Sequence, residues 1–336
     1  MLLRYFMVKR QLYQPNPAYE VSSTVIYFLT DGATRTVLLT FMNYIKLKIT
    51  YFLYYAWKLI RKKGLTCPSC GSSESIRICR KYLVMSLMRC TSCKLLFRIP
   101  ATSPSENKKF YQRTYQQGFT TELPTRVELS KFKDNEFKNT EKNYTRYIDI
   151  LHSLGLKNKA RILDFGCSWG YGSWQLMQAG YDVQAFEISL PRCNYAVEHM
   201  KVNATTDINH LKGPFDVFFS SHVLEHVPSV RQIISMAEML IKPCGYFVAF
   251  TPNGSEKYRE IRPSCWKHAW SIVHPNLLDE RYYETMFANK SFIIGSYPYD
   301  TSAIMAWAQD ANYSLKQERL NLNGDELVCI AKLTNS

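Results

Sequence analysis

The run Arg161-Ile162-Leu163-Asp164-Phe165-Gly166-Cys167-Ser168-Trp169-Gly170-Tyr171-Gly172 constrains this chain more than any other segment. A short apolar stretch ends in an acid and passes into a tight turn holding three glycines. A parallel strand that hands its backbone to a helix over a nucleotide-like ligand has this form. Gly166 and Gly170 carry no Cβ, so the main chain there can approach a ligand closely. A second apolar run, residues 181–186, ends at Glu187. A carboxylate at that point can accept hydrogen bonds from both hydroxyls of a ribose. A glycine turn alone is common; the turn paired with this acid is specific.

From Lys142 onward strand and helix patterns alternate regularly. Strands are expected over 160–165, 182–186, 215–220 and 246–251, and helices over 143–154, 172–179, 191–200 and 230–241. A shorter run at 202–205 leads to Asp207, and residues 291–297 and 326–333 alternate again. This predicts an α/β, doubly wound sheet that binds its ligand at the carboxyl ends of the strands. The last two runs fit an antiparallel pair that closes the sheet.

Four motifs in order carry a resemblance. They are Asp164-x-Gly166-Cys167-x-x-Gly170, then Glu187, then residues 215–227 (FDVFFSSHVLEHV), then 240–246 (LIKPCGY) with Phe250-Thr251-Pro252-Asn253 closing. Over residues 143 to 333 the chain resembles class I S-adenosylmethionine-dependent methyltransferases. The resemblance implies a seven-stranded Rossmann-like sheet and S-adenosylmethionine as methyl donor. It implies that Asp164, Gly166, Cys167, Gly170, Glu187, Asp207 and Ser221 form the donor site. Asp164 would face the methionyl ammonium or order the loop, Glu187 would hold the ribose, and Asp207 would meet the adenine amino group. Two positions depart from the family: Ser168 and Cys244 stand where glycine is usual. Serine is small enough for the loop to close.

His222, Glu225 and His226 follow the fourth strand, where donor and acceptor should meet. His222 is the first candidate for a general base, because a neutral imidazole titrates near physiological pH. Glu225 and His226 come three and four residues later, so all three could share a helical face. A similar cluster binds a divalent ion in quinone O-methyltransferases, which carry an acid where His222 stands; the bland role is to brace the turn. The connector 254–278 is long and rich in aromatic and polar groups, among them Arg259, Arg262, Trp266, Trp270 and His274. Tryptophan faces and arginine donors suit a sugar, a nucleotide sugar or a phosphate-bearing acceptor. His274 could set a second imidazole over the site, or simply close a turn.

Cys67-Pro68-Ser69-Cys70 and Cys90-Thr91-Ser92-Cys93 form two knuckles. Four thiolates at this spacing predict a zinc ribbon over residues 67–98, with Cys67, Cys70, Cys90 and Cys93 as ligands. With every position taken by sulfur, such a zinc is structural. A linker, 99–142, joins it to the catalytic domain, 143–336. A four-cysteine module before a tyrosine-rich linker and this core resembles bacterial methyltransferases of saccharide and surface-polysaccharide pathways. The other six of the ten cysteines are scattered through core-like runs, which suits a reducing cytoplasm.

Residues 1–66 form a basic leader, with ten Lys/Arg against Glu20 and Asp31, or +8 of the chain's +14. The other residues therefore carry only +6, which weakens a nucleic-acid reading based on charge. Residues 37–60 show an amphipathic helical stripe, interrupted by Lys46 and Lys48. Such a helix packs on its own domain or a second subunit, or lies through 37–63 on an anionic inner membrane surface. Translation beginning at Met42 is a third reading of this region. No cleavable signal is expected, because Arg4, Lys9 and Arg10 interrupt the first apolar stretch.

Three functions compete on these grounds. The first is methylation of a saccharide or other small molecule at oxygen or carbon. The alternatives are an RNA-base methyltransferase and a quinone or lipid O-methyltransferase at a membrane surface. Methylation of exocyclic base amines typically uses an Asn/Asp-Pro-Pro-aromatic turn after the fourth strand, where this chain has Ser220-Ser221-His222-Val223. A non-enzymatic scaffold is disfavoured by the intact Asp164, Gly166, Gly170 and Glu187.

Overall fold

The computed structural model describes residues 49–113 and 122–333. Internal contacts divide the chain into two units, residues 1–54 and 55–336. The first unit contributes residues 49–54, the opening of helix α1 (49–60). Residues 37–48 of the expected stripe lie outside the described residues. In the second unit, Lys58 on α1 is buried; its ammonium donates to Ala101 O at 2.6 Å and pairs with Glu106 at 2.9 Å. No helix among the described residues is long and apolar enough to cross a membrane.

Three strands follow α1: β1 (Ser75–Lys81), β2 (Met85–Cys90) and β3 (Leu96–Ile99). The stretch expected as linker holds two helices, α2 (Pro104–Arg113) and α3 (Arg126–Asp134). Pro104 occupies the first helical position of α2, where a missing N–H costs nothing. Helix α3 opens with a capping box between Thr125 and Glu128.

The large sheet begins after α4 (Thr145–Ser153) with β4 (Arg161–Phe165), α5 (Tyr171–Gln178), β5 (Asp182–Phe186), α6 (Leu190–Met200) and β6 (Asn203–Thr205). It continues through β7 (Phe215–Ser221), α7 (Val230–Leu240) and β8 (Ile241–Pro252). The 254–278 connector is not an open loop. It folds into α8 (Glu256–Ile261), α9 (Pro263–Ala269) and the short β9 (Asn276–Leu277). Helix α10 (Glu280–Met286), β10 (Phe292–Ser296), α11 (Thr301–Asp310), β11 (Gln317–Arg319) and β12 (Glu326–Leu333) complete the chain.

The order across the sheet is β11-β10-β12-β8-β7-β4-β5-β6. Strands β4 to β8 run parallel, while β12 runs antiparallel to both β8 and β10. The seven expected strands are therefore present as a doubly wound Rossmann-like sheet, and short β11 adds an eighth at the edge. Alternate residues of each strand feed opposite cores, as period-two geometry requires. Ile162, Val217, Phe219, Val248 and Phe250 pack with Ile150 of α4, Leu176 of α5 and Trp307 of α11. Leu163, Phe165, Phe218, Phe247 and Ala249 pack on the other face with Ile234 of α7 and Tyr282 of α10.

The cysteine module shares that second core. Cys67, Cys90, Cys93 and Phe97 are buried in the same apolar cluster as Phe218 and Leu278. Its sheet runs β1-β2-β3-β9, so the last strand comes from the far connector. Phe97 pairs with Asn276 and Leu96 with Leu277, and Arg98 N donates to Pro275 O at 2.7 Å.

Candidate active site

The strand order reverses between β4 and β7, and a ligand crevice forms outside the carboxyl ends at such a point. The glycine turn lies here. Gly166 has φ +91° and Gly170 +86°, a region open mainly to glycine. The bare backbone is occupied by the protein itself: a Cβ on Gly166 would stand 2.3 Å from Val223 Cγ2, and one on Gly170 2.9 Å from Ala196 Cβ. Gly166 thus lets the loop dock against the segment after β7, and Gly170 lets it dock against α6. The N–H groups of Gly166 and Cys167 both donate to Phe186 O, at 2.8 and 3.1 Å, which ties the loop to β5. Ser168, where the family has glycine, is also left-handed at φ +52°.

Two buried carboxylates converge on this loop. Glu187 accepts from Ser168 N at Oε2 (2.9 Å) and from Ser189 N at Oε1 (2.8 Å). Burial raises its pKa, against the pull of those N–H groups and of Arg192. Asp164 is buried and accepts from Ser173 Oγ at 2.6 Å, so it braces the first turn of α5. Burial pushes its carboxyl up to about 7, with the Ser173 hydroxyl opposing. Ser168 Oγ is buried with no hydrogen-bond partner among the described residues. Two acids with unused lone pairs and an orphaned hydroxyl, at the ends of adjacent parallel strands, fit the hydroxyl and ammonium donors of an adenosyl amino acid. Asp207 lies on an exposed turn after β6, and its carboxylate accepts from Asn209 N at 2.9 Å. Ser221 is the last residue of β7, opposite Phe250 of β8.

Beyond Ser221 the backbone turns through His222, itself left-handed at φ +55°. Its Nε2 lies 2.5 Å from Glu326 Oε2, and its Nδ1 3.4 Å from Glu225 Oε1. Burial would lower the imidazole's pKa, but the two carboxylates outweigh it and raise it to about 10. The side chain is 44% exposed, so the direction rests on the carboxylate contacts and not on burial. Those contacts favour the protonated imidazole and so oppose the expected role as a neutral base. The reason is Glu326, which comes from β12, more than 100 residues further along the chain. Glu326 is buried and also receives Tyr147 OH (2.7 Å), Arg146 (3.0 Å) and the Tyr299 hydroxyl.

The other two histidines have the opposite character. His226 Nδ1 faces Val273 O at 2.7 Å, and His274 Nδ1 faces Ala269 O at 2.9 Å. Both rings therefore donate at Nδ1 and keep a lone pair at Nε2. Their centroids are 4.5 Å apart at 80°. Burial, then the neighbouring His274, pushes His226 down to about 4, and burial lowers His274 as well. Glu225, Glu326's counterpart on the turn, is 1% exposed, and neither of its oxygens has a hydrogen-bond partner among the described residues. Asn276 Nδ2 latches this turn by donating to Val227 O at 2.7 Å. Strand β9 carries that asparagine, so the cysteine lobe is part of the scaffold of the site.

The four cysteines come together as their spacing predicts. Their sulfurs all lie within 4.8 Å of one another, with Cys67–Cys93 and Cys70–Cys90 each at 3.5 Å. Tetrahedral zinc with bonds of about 2.3 Å needs sulfurs roughly 3.8 Å apart, so the set fits a structural zinc. The tryptophans do not behave as expected. Trp266 and Trp270 are buried; Trp266 Nε1 donates to Gly254 O at 2.9 Å, and Lys81 covers Trp270 at 4.2 Å. Neither face is free to stack on a sugar. Arg259 lies over Trp266 and lines, with Arg89 and Arg281, a cavity of about 170 Å³.

Strand order and switch point give the domain a Rossmann-like methyltransferase fold. Residues 140–294 match the family profile described as a methyltransferase domain. The ubiquinone biosynthesis O-methyltransferase of Pseudomonas aeruginosa (strain UCBPP-PA14) is 29% identical over 136 residues, 37% of this chain and 58% of that one. The malonyl-[acyl-carrier protein] O-methyltransferase of Pseudescherichia vulneris is 29% identical over 146 residues, 41% of this chain and 57% of that one. The chain thus spans somewhat over half the length of these curated relatives. Among solved structures, a geranyl diphosphate C-methyltransferase from Streptomyces coelicolor A3(2) aligns with TM-score 0.45 and 13% identity, covering 70% of this chain and 100% of that one.

Proposed function

We propose that this chain transfers a methyl group from S-adenosylmethionine to an oxygen or carbon of a small organic acceptor of the saccharide or nucleotide-sugar class. The observation that carries the reading is the pair Asp164 and Glu187, buried at the ends of neighbouring parallel strands beside a left-handed glycine loop. When bound, the donor supplies an electrophilic sulfonium methyl, so the protein has only to orient it and help the acceptor lose its proton. Glu187 holds the ribose with its remaining lone pairs, and Asp164 faces the ammonium. Residues Gly166, Cys167, Gly170 and Ser221 shape the crevice. His222 presents a fixed positive charge to the acceptor, while Glu225, His226 and His274 handle its reacting group. Zinc held by the four cysteines stabilises the lobe that carries β9.

Support for the acceptor class comes from the likeness of the four-cysteine module to that of saccharide-pathway enzymes. A second reading, O-methylation of a quinone-type phenol, is favoured by the names of relatives that share the methyltransferase segment. One experiment separates them. Labelled S-adenosylmethionine is offered with a panel of nucleotide sugars and a panel of catechols, using wild type and Glu187→Ala. Label entering a nucleotide sugar with wild type only supports the first reading, and label entering a catechol replaces it with the second. Calorimetry with S-adenosylhomocysteine on the same samples should find binding that Glu187→Ala weakens about 100-fold or more; equal affinity would remove the donor site.

A further inference from the structure

We infer that Asn276 is a positioning residue that couples the metal state of the four-cysteine lobe to the turn after β7, and leaves the donor site untouched. Asn276 is 0% exposed, and an amide so placed is costly unless it is paired. Its Nδ2 donates to Val227 O at 2.7 Å and, more loosely, to Leu224 O at 3.4 Å. Its backbone N–H donates to Glu225 O at 3.2 Å. Its Oδ1 has no hydrogen-bond partner among the described residues, so the side chain is satisfied only through this turn. An apolar residue at this position would leave Val227 O without that donor.

The other end of the link is the cysteine cluster. Asn276 pairs with Phe97 across β3 and β9, and β3 opens at Leu96, shortly after Cys93. Each knuckle adds its own tether to the chain just beyond β9. Ser69, inside the first knuckle, shares a hydrogen bond with Tyr282 OH at 3.0 Å. Arg89, beside Cys90 of the second, pairs with Asp279 at 2.5 Å. Leu224 and Val227 of the turn lie in the same apolar cluster as Cys67, Cys90 and Cys93. A metal held by all four sulfurs fixes both knuckles, and the knuckles fix β9. The donor carboxylates are anchored elsewhere, Glu187 on Ser168 and Ser189 and Asp164 on Ser173. Loss of the metal therefore loosens the turn that carries His222, Glu225 and His226 while donor binding persists. The consequence for turnover rests on the methyl-transfer reading, whereas the coupling itself does not.

The test is amide hydrogen exchange on the full chain, with zinc bound and after stripping with a chelator. The reporter is the turn, where His226 N–H donates to Val223 O at 2.9 Å. The controls are the Gly166 and Cys167 amides of the donor loop, with calorimetry of S-adenosylhomocysteine binding. In wild type, stripping should speed exchange across 222–228 about 10-fold or more and leave the donor loop and the affinity unchanged. Asn276→Ala should speed the turn as much with zinc still bound, and stripping should then add little, because the link is already cut. Retained zinc, and protection of the Cys90 N–H that donates to Leu95 O at 2.9 Å, report that the lobe is intact in the variant. Asn276→Asp, close in size, turns an acceptor toward the same carbonyls and should match Asn276→Ala. A turn equally protected without metal overturns the proposal. So do effects of stripping and substitution that simply add, or donor affinity that falls in step with the turn. Wild type that binds no S-adenosylhomocysteine fails the methyl-transfer reading, and the exchange measurements still decide the coupling.

Discussion

Replacing Glu187 by Gln tests the centre of the argument, because a single carboxylate is asked to do two things. In the free protein its two oxygens each accept a backbone N–H, Ser168 at 2.9 Å and Ser189 at 2.8 Å. Those bonds pin the glycine loop to the start of α6. Glutamine keeps one acceptor and turns an amide donor toward the other N–H. One charge-assisted bond of about 1.5–3 kcal/mol is lost, and a buried donor is left unpaired at roughly 1–3 kcal/mol. Removing a buried charge offsets part of this, since burial raises the Glu187 pKa and so disfavours the ionised form. The net expectation is a loss of about 2 kcal/mol in urea unfolding followed by tryptophan fluorescence. The same amide also presents one acceptor where the ribose needs two, so affinity for S-adenosylhomocysteine should fall about 30- to 100-fold. A stability change below about 0.5 kcal/mol would refute the pinning role. Full stability loss with unchanged affinity would refute the ribose role alone.

The His222–Glu326 contact gives the stability a pH dependence of known sign. The folded pKa of His222 is raised to about 10 by the two carboxylates, against an unfolded value near 6.5. Its stabilisation is complete below about pH 6.5 and is lost as pH rises through about 10, so urea midpoints should fall across that window. In Glu326→Gln the fall should be much smaller, and an unchanged slope would count against the pairing. A second perturbation concerns Cys244, exposed and left-handed at φ +63°. Cys244→Gly should raise stability by up to about 1 kcal/mol, because the left-handed conformation costs an L-residue about 1–2 kcal/mol and glycine gives part of that back in chain entropy. A thermal scan that finds the variant less stable than wild type contradicts this account.

What the sequence made legible is local. Asp164, Gly166, Gly170 and Glu187 sit within one βαβ segment, and the four cysteines lie in two short knuckles, so spacing alone brings each set together. The long connector is harder to read because its burial is not local. Its aromatic residues look like an open binding loop, but Ser255 caps α8 and Pro263 starts α9, and burying Trp266 and Trp270 is what lets those short helices pack. The control of His222 was out of reach. Glu326 meets it only because β12 inserts antiparallel beside β8, placing Glu326 opposite Pro252 at the mouth of the crevice. One signal was available: Glu326 opens a run, Leu327 to Ala331, that is apolar on both faces. A carboxylate at the end of a strand buried on both faces must find partners inside the protein. Arg146, Tyr147 and Tyr299, the others it finds, come from α4 and from the turn after β10. Sequence could therefore announce that this acid needed company, but only the topology decides that the company includes the histidine of the fourth-strand turn. That is why the proton affinity of a residue expected to act as a free base is set by two carboxylates, one near in sequence and one far, and not by solvent.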